Sequence, residues 1–366
     1  MREPVELRRQ RVLAAVEGRG SARVRDLAAE LQVSVVTLRR DVEELTREGR
    51  LRRGHGVVHS TSPVPEQPEP HAPDGDTVAV VVPERHSYLY ETLHGARTVL
   101  EEAGMRIALH IAPQVAGAEL PLVERALAGG ARGLLLAPRW RTPAVEEADY
   151  GWLAALDVPA VLMERRPWPG SALHALDSVC SDHWYGAHLA VEHLVGLGHR
   201  RIVFATRDDS PTARSLRAAF TQIAGAHPRL EEWAWALSSP EAGHDGPYAA
   251  HEMQDVPTLL GKLGATAAVL HSDVDALMIA QRLAESGVRV PEDCSVVAYD
   301  DVLAGLGTTP LTAVAPPKAE VGRVAAELLL RRLDGHRGAG STVRRVELLP
   351  ALRVRGSTRM TVTLSQ

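Results

Sequence analysis

The feature that most constrains the fold is a long alternation of apolar segments and helical patterns, which begins at Thr77. Residues 78–83 form a continuous apolar segment, typical of a strand buried on both faces of a sheet. Similar segments recur at residues 106–110, 133–137, 158–163, 201–205, 234–237, 267–270 and 295–299. Helical spacing of apolar residues fills the intervals at residues 89–103, 118–128, 144–156, 183–196, 211–224, 248–262 and 275–286.

Alternating strands and helices favour parallel sheets of the doubly wound type. Because there are too many strands for one compact sheet, we predict two lobes. Ligands of open α/β sheets bind at the carboxyl ends of the strands. Two lobes that face each other would therefore form a cleft between those ends.

A different pattern occupies residues 1–60. Apolar spacing predicts a helix over residues 4–17, a second helix that opens at Ser21 and a third that Ser34 caps. Residues 50–58 are typical of a short hairpin with glycines at its turn. Three helices and a hairpin make a winged helix-turn-helix. The predicted fold is therefore α/β, with this winged unit ahead of a two-lobed domain.

The third helix and the hairpin carry most of the residues suited to nucleic acid. Thr37, Arg39 and Arg40 lie off the apolar stripe of the helix, so they could enter a major groove, where Arg pairs with guanine. An ordinary amphipathic helix with a solvated basic face is the alternative. The hairpin adds side chains suited to phosphate or minor-groove contact, namely Arg52, Arg53 and His55.

Charge is unevenly distributed along the chain. Residues 1–59 hold 13 arginines and 9 acidic residues, a formal charge of +4, whereas the whole chain carries −5. A basic N-terminal part on an acidic body indicates that this part meets a polyanion. Between the two parts, residues 61–76 contain five prolines and few apolar residues, which predicts an extended linker.

Several function classes are disfavoured by what the sequence lacks. It has no apolar run of the length of a membrane span and no apolar core of a signal peptide near its start, so we expect a cytoplasmic protein. Cys180 and Cys294 have no metal-spaced partners and are expected to be buried thiols. No glycine-rich phosphate loop follows the first strand, and no catalytic motif is present. We therefore expect neither an enzyme nor a cofactor or metal site.

Residues 5–58 resemble the DeoR-type winged helix-turn-helix. The resemblance is carried by residues 33–42, Val-Ser-Val-Val-Thr-Leu-Arg-Arg-Asp-Val, and residues 51–56, Leu-Arg-Arg-Gly-His-Gly. It implies that the polar side chains of the third helix face DNA, namely Ser34, Thr37, Arg39 and Arg40. Asp41 is expected to serve structure instead.

Residues 77–357 resemble the sensor domain of the LacI/GalR family, which has a periplasmic-binding-protein-like fold. The most specific segments are residues 186–202, which end in Gly-His-Arg-Arg-Ile, and residues 290–301, which end in Tyr-Asp-Asp. The helix-turn-helix and hinge helix of that family are absent from the sequence. The resemblance implies DNA-binding residues 1–60, linker residues 61–76, and an effector-binding and dimerisation domain over residues 77–360.

The same resemblance places a small effector among residues that follow the strand ends: Ser87, Tyr88, Tyr90, Arg165, His188, Arg214, Phe220, Ser272, Asp273 and Asp300. Sugar hydroxyls need paired acceptors and donors, which Asp300, Asp273 and Arg214 could supply. Alternatives stay open for three members of the set. Phe220 could belong to the core, Asp273 could cap a helix and His188 could be a surface histidine.

Together these features predict a ligand-responsive transcription factor that binds a two-fold operator as a homodimer. A repressor of carbohydrate uptake or catabolism genes, whose effector is a sugar or sugar derivative, fits best. A solute-binding protein of a transporter, a sugar-modifying enzyme and a transcriptional activator are the alternatives. The basic N-terminal part disfavours a solute-binding protein. The absence of a catalytic motif disfavours an enzyme.

Overall fold

The chain divides into two compact units, Met1–Pro73 and Asp74–Gln366, in a computed structural model. The structure describes residues 8–9, 12, 16, 21–30, 33–47, 50–53, 57–60, 76–84, 88–113, 115, 117–140, 143–207, 210–238, 256–334 and 342–361. The predicted linker lies outside the described residues except for Asp76.

The first unit is a small helical domain with a three-stranded sheet. Its described helices are α1 (Val24–Glu30) and α2 (Val35–Arg47), and its strands are β1 (Ser21–Arg23), β2 (Leu51–Arg53) and β3 (Val57–Ser60). The antiparallel sheet has the order β1-β3-β2. The predicted winged helix-turn-helix is confirmed, with one correction. Ser21 begins strand β1 rather than a helix, because residues 21–23 pair with β3 before the chain turns into α1.

The core of the first unit is built on the apolar stripe of α2. Leu38, Val42 and Leu45 are buried there with Val12 and Val16, which are helical residues in the region of the predicted first helix. The opposite side of α2 stays exposed. The helical spacing in the sequence therefore selects which side of α2 can face a partner.

The second unit contains two parallel-dominated sheets. Its strands are β4 (Thr77–Pro83), β5 (Arg106–Ala112), β6 (Ala131–Leu136), β7 (Ala160–Met163), β8 (Asp177–Ser181), β9 (Arg201–Thr206), β10 (Glu232–Leu237), β11 (Ala267–Leu270), β12 (Ser295–Tyr299), β13 (Thr312–Ala315), β14 (Arg345–Leu348) and β15 (Ala351–Arg353). Its described helices are α3 (Tyr88–Glu102), α4 (Glu119–Ala128), α5 (Pro143–Tyr150), α6 (His183–Gly196), α7 (Pro211–Ala226), α8 (Val256–Leu263), α9 (Asp273–Glu285) and α10 (Lys318–Leu333).

Each sheet forms the centre of one lobe. The N-lobe sheet has the order β14-β8-β7-β6-β4-β5, and the C-lobe sheet has the order β10-β9-β11-β12-β13-β15. Strand pairing is parallel except between β13 and β15. The predicted two-lobed, doubly wound α/β fold is confirmed.

The chain crosses between the lobes three times: between β8 and α6, between β13 and α10, and between β14 and β15. After the second crossing α10 returns to the N-lobe, where Val321, Ala325 and Leu329 are buried in its core. α10 packs on α3 at very short range. A Cβ placed on Gly95 or Gly322 would overlap a backbone carbonyl oxygen of the facing helix. Glycine is therefore required at both positions, and the two helices pack as one unit.

The two cysteines lie in different lobes as buried free thiols, as expected. Burial raises the pKa of the Cys294 thiol to about 12, so it stays protonated at neutral pH. Among the described helices, none combines the length and apolar character needed to cross a bilayer.

Candidate functional sites

The N-terminus of α2 is organised by a local cap. Ser34 Oγ accepts a hydrogen bond from the Thr37 backbone N–H at 3.1 Å and lies 2.8 Å from Thr37 Oγ1. The Ser34 hydroxyl therefore stabilises the helix start, as its position in the sequence predicts. Arg39 and Arg40 are exposed on the same helix. This exposure leaves both guanidinium groups accessible, and their contact with DNA stays a prediction.

The basic residues predicted on the hairpin are only partly described. Arg52 and Arg53 belong to strand β2, but their side chains lie outside the described part of the structure, as does all of His55. Their contacts with DNA stay predictions.

Asp41 ties the first helical residues to α2. Its carboxylate is 3% exposed and accepts hydrogen bonds from Arg8 Nε at 2.6 Å and Nη2 at 3.0 Å, and from Arg9 Nε at 3.4 Å. A buried carboxylate needs such partners because desolvation of its charge is costly. Asp41 thus has the structural role that was expected.

In the second unit, a hydrogen-bonded group lies at the carboxyl ends of the N-lobe strands. Glu164 directly follows β7, and its carboxylate accepts hydrogen bonds from Tyr88 Oη at 2.6 Å, Ser181 Oγ at 2.9 Å and the Ser181 backbone N–H at 3.1 Å. Burial, together with the Glu164 charge, holds the pKa of the Tyr88 phenol well above its ordinary value. Tyr88 is therefore a neutral group anchored at the end of the N-lobe sheet.

Asp300 occupies the corresponding position at the end of β12 in the C-lobe. It is 9% exposed, and its carboxylate accepts no hydrogen bond from the described residues. His271 Nε2 lies 3.7 Å from Asp300 Oδ2, beyond hydrogen-bond distance. Burial and then the Asp273 charge raise the pKa of Asp300 well above its ordinary value. A buried carboxyl group without hydrogen bonds is energetically costly, and a ligand could supply the donor that it needs.

The backbone is strained at both strand ends. Glu164 has φ of 51°, Asp300 of 103° and Asp301 of 52°, although none of them is glycine. Left-handed non-glycine residues are uncommon, and they concentrate at binding sites, where the surrounding structure holds them. The strain thus marks the same two strand ends as the buried carboxylates.

Asp273 has a different role from the one implied by resemblance. Its carboxylate accepts backbone N–H groups from the loop that follows Asp300: those of Asp301 at 3.2 Å, Val302, Leu303 at 2.7 Å and Ala304 at 3.3 Å. These bonds occupy the carboxylate and hold the loop. The predicted role of Asp273 as an effector ligand is therefore wrong, and Asp273 instead positions Asp300. Ser272 precedes it as the N-cap of α9, without a side-chain cap bond.

Two arginines from opposite lobes bind the loop after β6. Arg165 of the N-lobe donates to the carbonyl oxygens of Ala137 at 3.3 Å, Pro138, and Glu164 at 2.7 Å. Arg214 of the C-lobe donates to the Trp140 carbonyl oxygen at 3.3 Å. Burial lowers the pKa of Arg165 to about 10, which leaves it charged at neutral pH. The Arg214 bond connects the two lobes at this edge.

The prediction that Phe220 contacts the effector is also wrong. It is 1% exposed and lies in the C-lobe core, stacked on Phe204 at 4.9 Å between ring centroids, with Trp233 against its edge. A ring enclosed in this way has no face left for a ligand.

The other members of the expected set lie at the surface or outside the described residues. Tyr90 is 72% exposed on α3, and His188 is exposed on α6, where it stacks with Tyr185 at 6.0 Å. Ser87 is outside the described residues. The structure thus leaves five residues of the expected set near the strand ends: Tyr88, Arg165, Arg214, Ser272 and Asp300.

Six residues near the strand ends were missed by sequence reasoning: Glu164, Ser181, His183, His271, Tyr299 and Lys318. His183 Nδ1 lies 3.2 Å from Tyr299 Oη, and Lys318 Nζ donates to the Asp300 carbonyl oxygen at 2.7 Å. A usable signal existed for two of them, because Glu164 and His271 each follow a buried strand directly. No group of described residues has the composition and spacing to hold a metal ion.

Two family models match the chain. Residues 8–64 match the DeoR-like helix-turn-helix domain, and residues 191–358 match the periplasmic binding protein-like domain. The chain thus combines a segment similar to the DeoR-like helix-turn-helix with a segment similar to the periplasmic binding protein-like domain. The first unit is therefore called the head and the second unit the sensor domain.

Relatives of the chain include transcriptional repressors. The arabinose metabolism transcriptional repressor of Geobacillus stearothermophilus is 27% identical over 84% of each chain. The repressor PurR of Haemophilus influenzae is 30% identical, over 55% of this chain and 57% of PurR. Among solved structures, the lac repressor dimer bound to operator and an anti-inducer has a TM-score of 0.61 and 23% identity, and the match covers 78% of this chain and 94% of that one. The last similarity establishes the fold of the sensor domain.

Proposed function

We propose that this protein is a cytoplasmic transcriptional repressor that binds operator DNA as a homodimer and changes its operator affinity when a small sugar-like molecule binds. The single observation that carries the proposal is the buried Asp300 carboxylate, to which no described residue donates a hydrogen bond, in a domain joined to a DeoR-like head. The proposed boundaries are residues 1–60 for DNA binding, residues 61–76 for the linker and residues 77–360 for effector binding and dimerisation.

The chemistry of the strand ends favours a polyhydroxylated effector. Asp300 can accept hydrogen bonds from two adjacent hydroxyl groups, because a carboxylate offers two oxygens with several acceptor positions. Tyr88, Glu164 and Ser181 offer further polar atoms from the N-lobe. An effector that contacts both lobes would favour one lobe arrangement over another, and its differential affinity for the two would set the change in DNA binding.

Repression and dimerisation are proposed from the relatives. The Geobacillus protein is named a repressor of arabinose metabolism, which makes arabinose the first candidate effector for this chain. The lac repressor, which has the fold of the sensor domain, is a dimer on its operator. A dimer doubles the contacts that one short recognition helix can make. The DeoR-like head argues against a transporter component, and no role as an enzyme is proposed.

The effector site can be tested without knowing the operator. We expect at least one member of a panel of aldopentoses, aldohexoses and nucleosides to raise the unfolding midpoint of the wild type. Stabilisation grows with concentration and reaches about 2.7 kcal/mol at 100 times the dissociation constant. Asp300→Asn should lose most of this shift because the substitution replaces one carboxyl oxygen with an amide NH₂ group, which cannot accept a hydrogen bond. Asp334→Asn, which makes the same change at an exposed carboxylate at the end of α10, should keep the shift. An equal shift in Asp300→Asn and the wild type would remove Asp300 from the site.

The DNA-binding surface can be tested by charge removal on α2. Arg39→Ala and Arg40→Ala should each weaken binding to DNA from upstream of the protein's own gene by about 1–3 kcal/mol if the residue contacts a base. Arg97→Ala, which removes an exposed arginine from α3 of the sensor domain, is the matched control. Affinities should be compared by fluorescence anisotropy at two salt concentrations, since the loss of a phosphate contact would lower the salt dependence of binding. Unchanged affinity at both would exclude the residue from the interface.

A further inference from the structure

Lys318 connects the two lobes through one buried ammonium group. It is the first residue of α10 and is 4% exposed. Its Nζ donates to the Asp300 carbonyl oxygen at 2.7 Å, lies 3.6 Å from Glu91 Oε1 and is 5.5 Å from the centre of the Tyr88 ring. Asp300 belongs to the C-lobe, whereas Tyr88 and Glu91 belong to α3 of the N-lobe. One side chain thus contacts a residue expected to bind the effector in each lobe.

This position is unfavourable for a lysine considered in isolation. Burial of an ammonium group is costly unless it is paired, and a cation opposes the dipole at a helix N-terminus. Lysine is also rare in this chain, where only Lys262 and Lys318 occur among 41 basic residues. Lys262 is exposed on α8. The contacts of Lys318 with Asp300, Glu91 and Tyr88 therefore have to offset its burial.

The surroundings of Asp300 explain what the ammonium group contributes. The titratable and charged groups near Asp300 come from both lobes: Tyr88 from α3, Asp273 and Asp275 from α9, Glu164 after β7, His271 after β11, Tyr299 within β12, Asp301 with its partners Arg353 and Arg355, and Lys318 from α10. The acidic neighbours disfavour a charged Asp300. Lys318 is the group that most favours it, since its positive charge opposes the rise in the pKa of Asp300.

We propose that Lys318 is a positioning residue that holds Asp300 in place, favours the ionised form of its carboxyl group and links it to the helix pair α3–α10. The inference deepens the proposed function, on which its regulatory meaning rests. Gly95 and Gly322 let α3 and α10 pack backbone against backbone, so Tyr88, Glu91 and Lys318 move together. A displacement of Asp300 by an effector is then transmitted to both helices.

The experiment is a pH-dependent double-mutant cycle on the full-length chain. The variants are Lys318→Met, Lys318→Arg, Asp300→Asn, the double variant Lys318→Met/Asp300→Asn and, as the matched control, Lys262→Met. Unfolding is followed by tryptophan fluorescence between pH 5 and pH 8, without DNA or sugar. All six tryptophans lie after residue 139, so the signal reports the sensor domain alone.

The expected sign follows from the raised pKa of Asp300. A carboxyl whose pKa is higher in the folded than in the unfolded state loses stabilisation as the pH rises between the two values. Without the Lys318 charge the folded pKa rises further, so the midpoint of Lys318→Met should go on falling to a higher pH than the midpoint of the wild type. Each added pKa unit is equivalent to 1.36 kcal/mol, or roughly 3 °C for a domain of this size.

Three results together would support the inference. First, the unfolding midpoint of Lys318→Met falls by about 3 °C or more beyond the fall of the wild type between pH 5 and pH 8. Second, this extra fall disappears when Asp300→Asn is added. Third, Lys318→Arg and Lys262→Met retain the wild-type pH profile. A Lys318→Met variant that folds only together with Asp300→Asn would support it as well.

A destabilisation of Lys318→Met that is equal at every pH and unrelieved by Asp300→Asn would overturn the inference, as would failure to fold in both backgrounds. Either result would reduce Lys318 to a packing residue. Because the measurement involves neither operator nor effector, such a failure is distinct from a failure of the proposed function.

Discussion

Asp41→Ala is expected to unfold the head and abolish DNA binding while the sensor domain stays intact. The Asp41 carboxylate is the buried partner of Arg8 and Arg9, whose side chains are 14% and 23% exposed. Removal of one member of such an ion pair leaves the other charges partly buried and unpaired, at a cost of about 3–5 kcal/mol. A domain as small as the head has little stability to lose, because small domains bury a small fraction of their surface.

Unfolding of the head is measured by circular dichroism at helical wavelengths and by limited proteolysis, and its function by binding to upstream DNA. Tryptophan fluorescence reports whether the sensor domain stays folded. Glu44→Ala is the matched control. Glu44 lies on the same helix and pairs with Arg47, whose side chain is 75% exposed, so its loss should cost little. A proteolysis-resistant head in Asp41→Ala, with DNA affinity close to that of the wild type, would contradict the prediction.

Gly322→Ala is expected to destabilise the sensor domain by about 3 kcal/mol, with a midpoint lower by roughly 6–12 °C. The added methyl group would overlap the Thr92 carbonyl oxygen and press on the backbone of Ala96. A backbone atom cannot move aside as a flexible side chain can, so α3 and α10 must separate. Because Tyr88 and Lys318 begin these two helices, ligand binding at the strand ends should weaken too.

Gly261→Ala supplies the matched control for this substitution. Gly261 lies within α8, and a Cβ placed there meets nothing within 4 Å. Alanine should stabilise that helix by roughly 0.5–1 kcal/mol through its higher helix propensity. Both variants are compared with the wild type by tryptophan fluorescence during thermal unfolding. A midpoint for Gly322→Ala at or above that of the wild type would show that the helix pair can adjust.

The helices and strands that the sequence predicted are those with strong local periodicity. In the sensor domain, the elements it missed are β8, β13, α10, β14 and β15, all of which belong to the crossings between lobes or to the C-terminal part of the sheets. β8 is fully buried yet contains Asp177, Ser178 and Ser181, whose polar groups are hydrogen-bonded inside the fold. A polar strand of this kind carries no apolar pattern.

The residues predicted to bind the effector show the same limit of local sequence patterns. Resemblance placed Asp273, Phe220 and Asp300 together at the strand ends. The structure gives the Asp273 carboxylate four backbone donors and encloses Phe220 in the core, whereas the Asp300 carboxylate receives no hydrogen bond from the described residues. Residue type alone could not separate the two aspartates, because the distinction depends on where the backbone N–H groups of a distant loop lie.

The order of helices and strands, the basic character of α2 and the separation into head and sensor domain were all determined by the sequence, because periodicity and charge act over a few neighbouring residues. Only the tertiary structure decided which side chains at the strand ends are hydrogen-bonded within the protein and which are available to a ligand. It also brought Lys318 to Asp300, 18 residues apart in the chain and on different lobes. Contacts of that kind arise from the packing of whole elements, which local patterns do not encode.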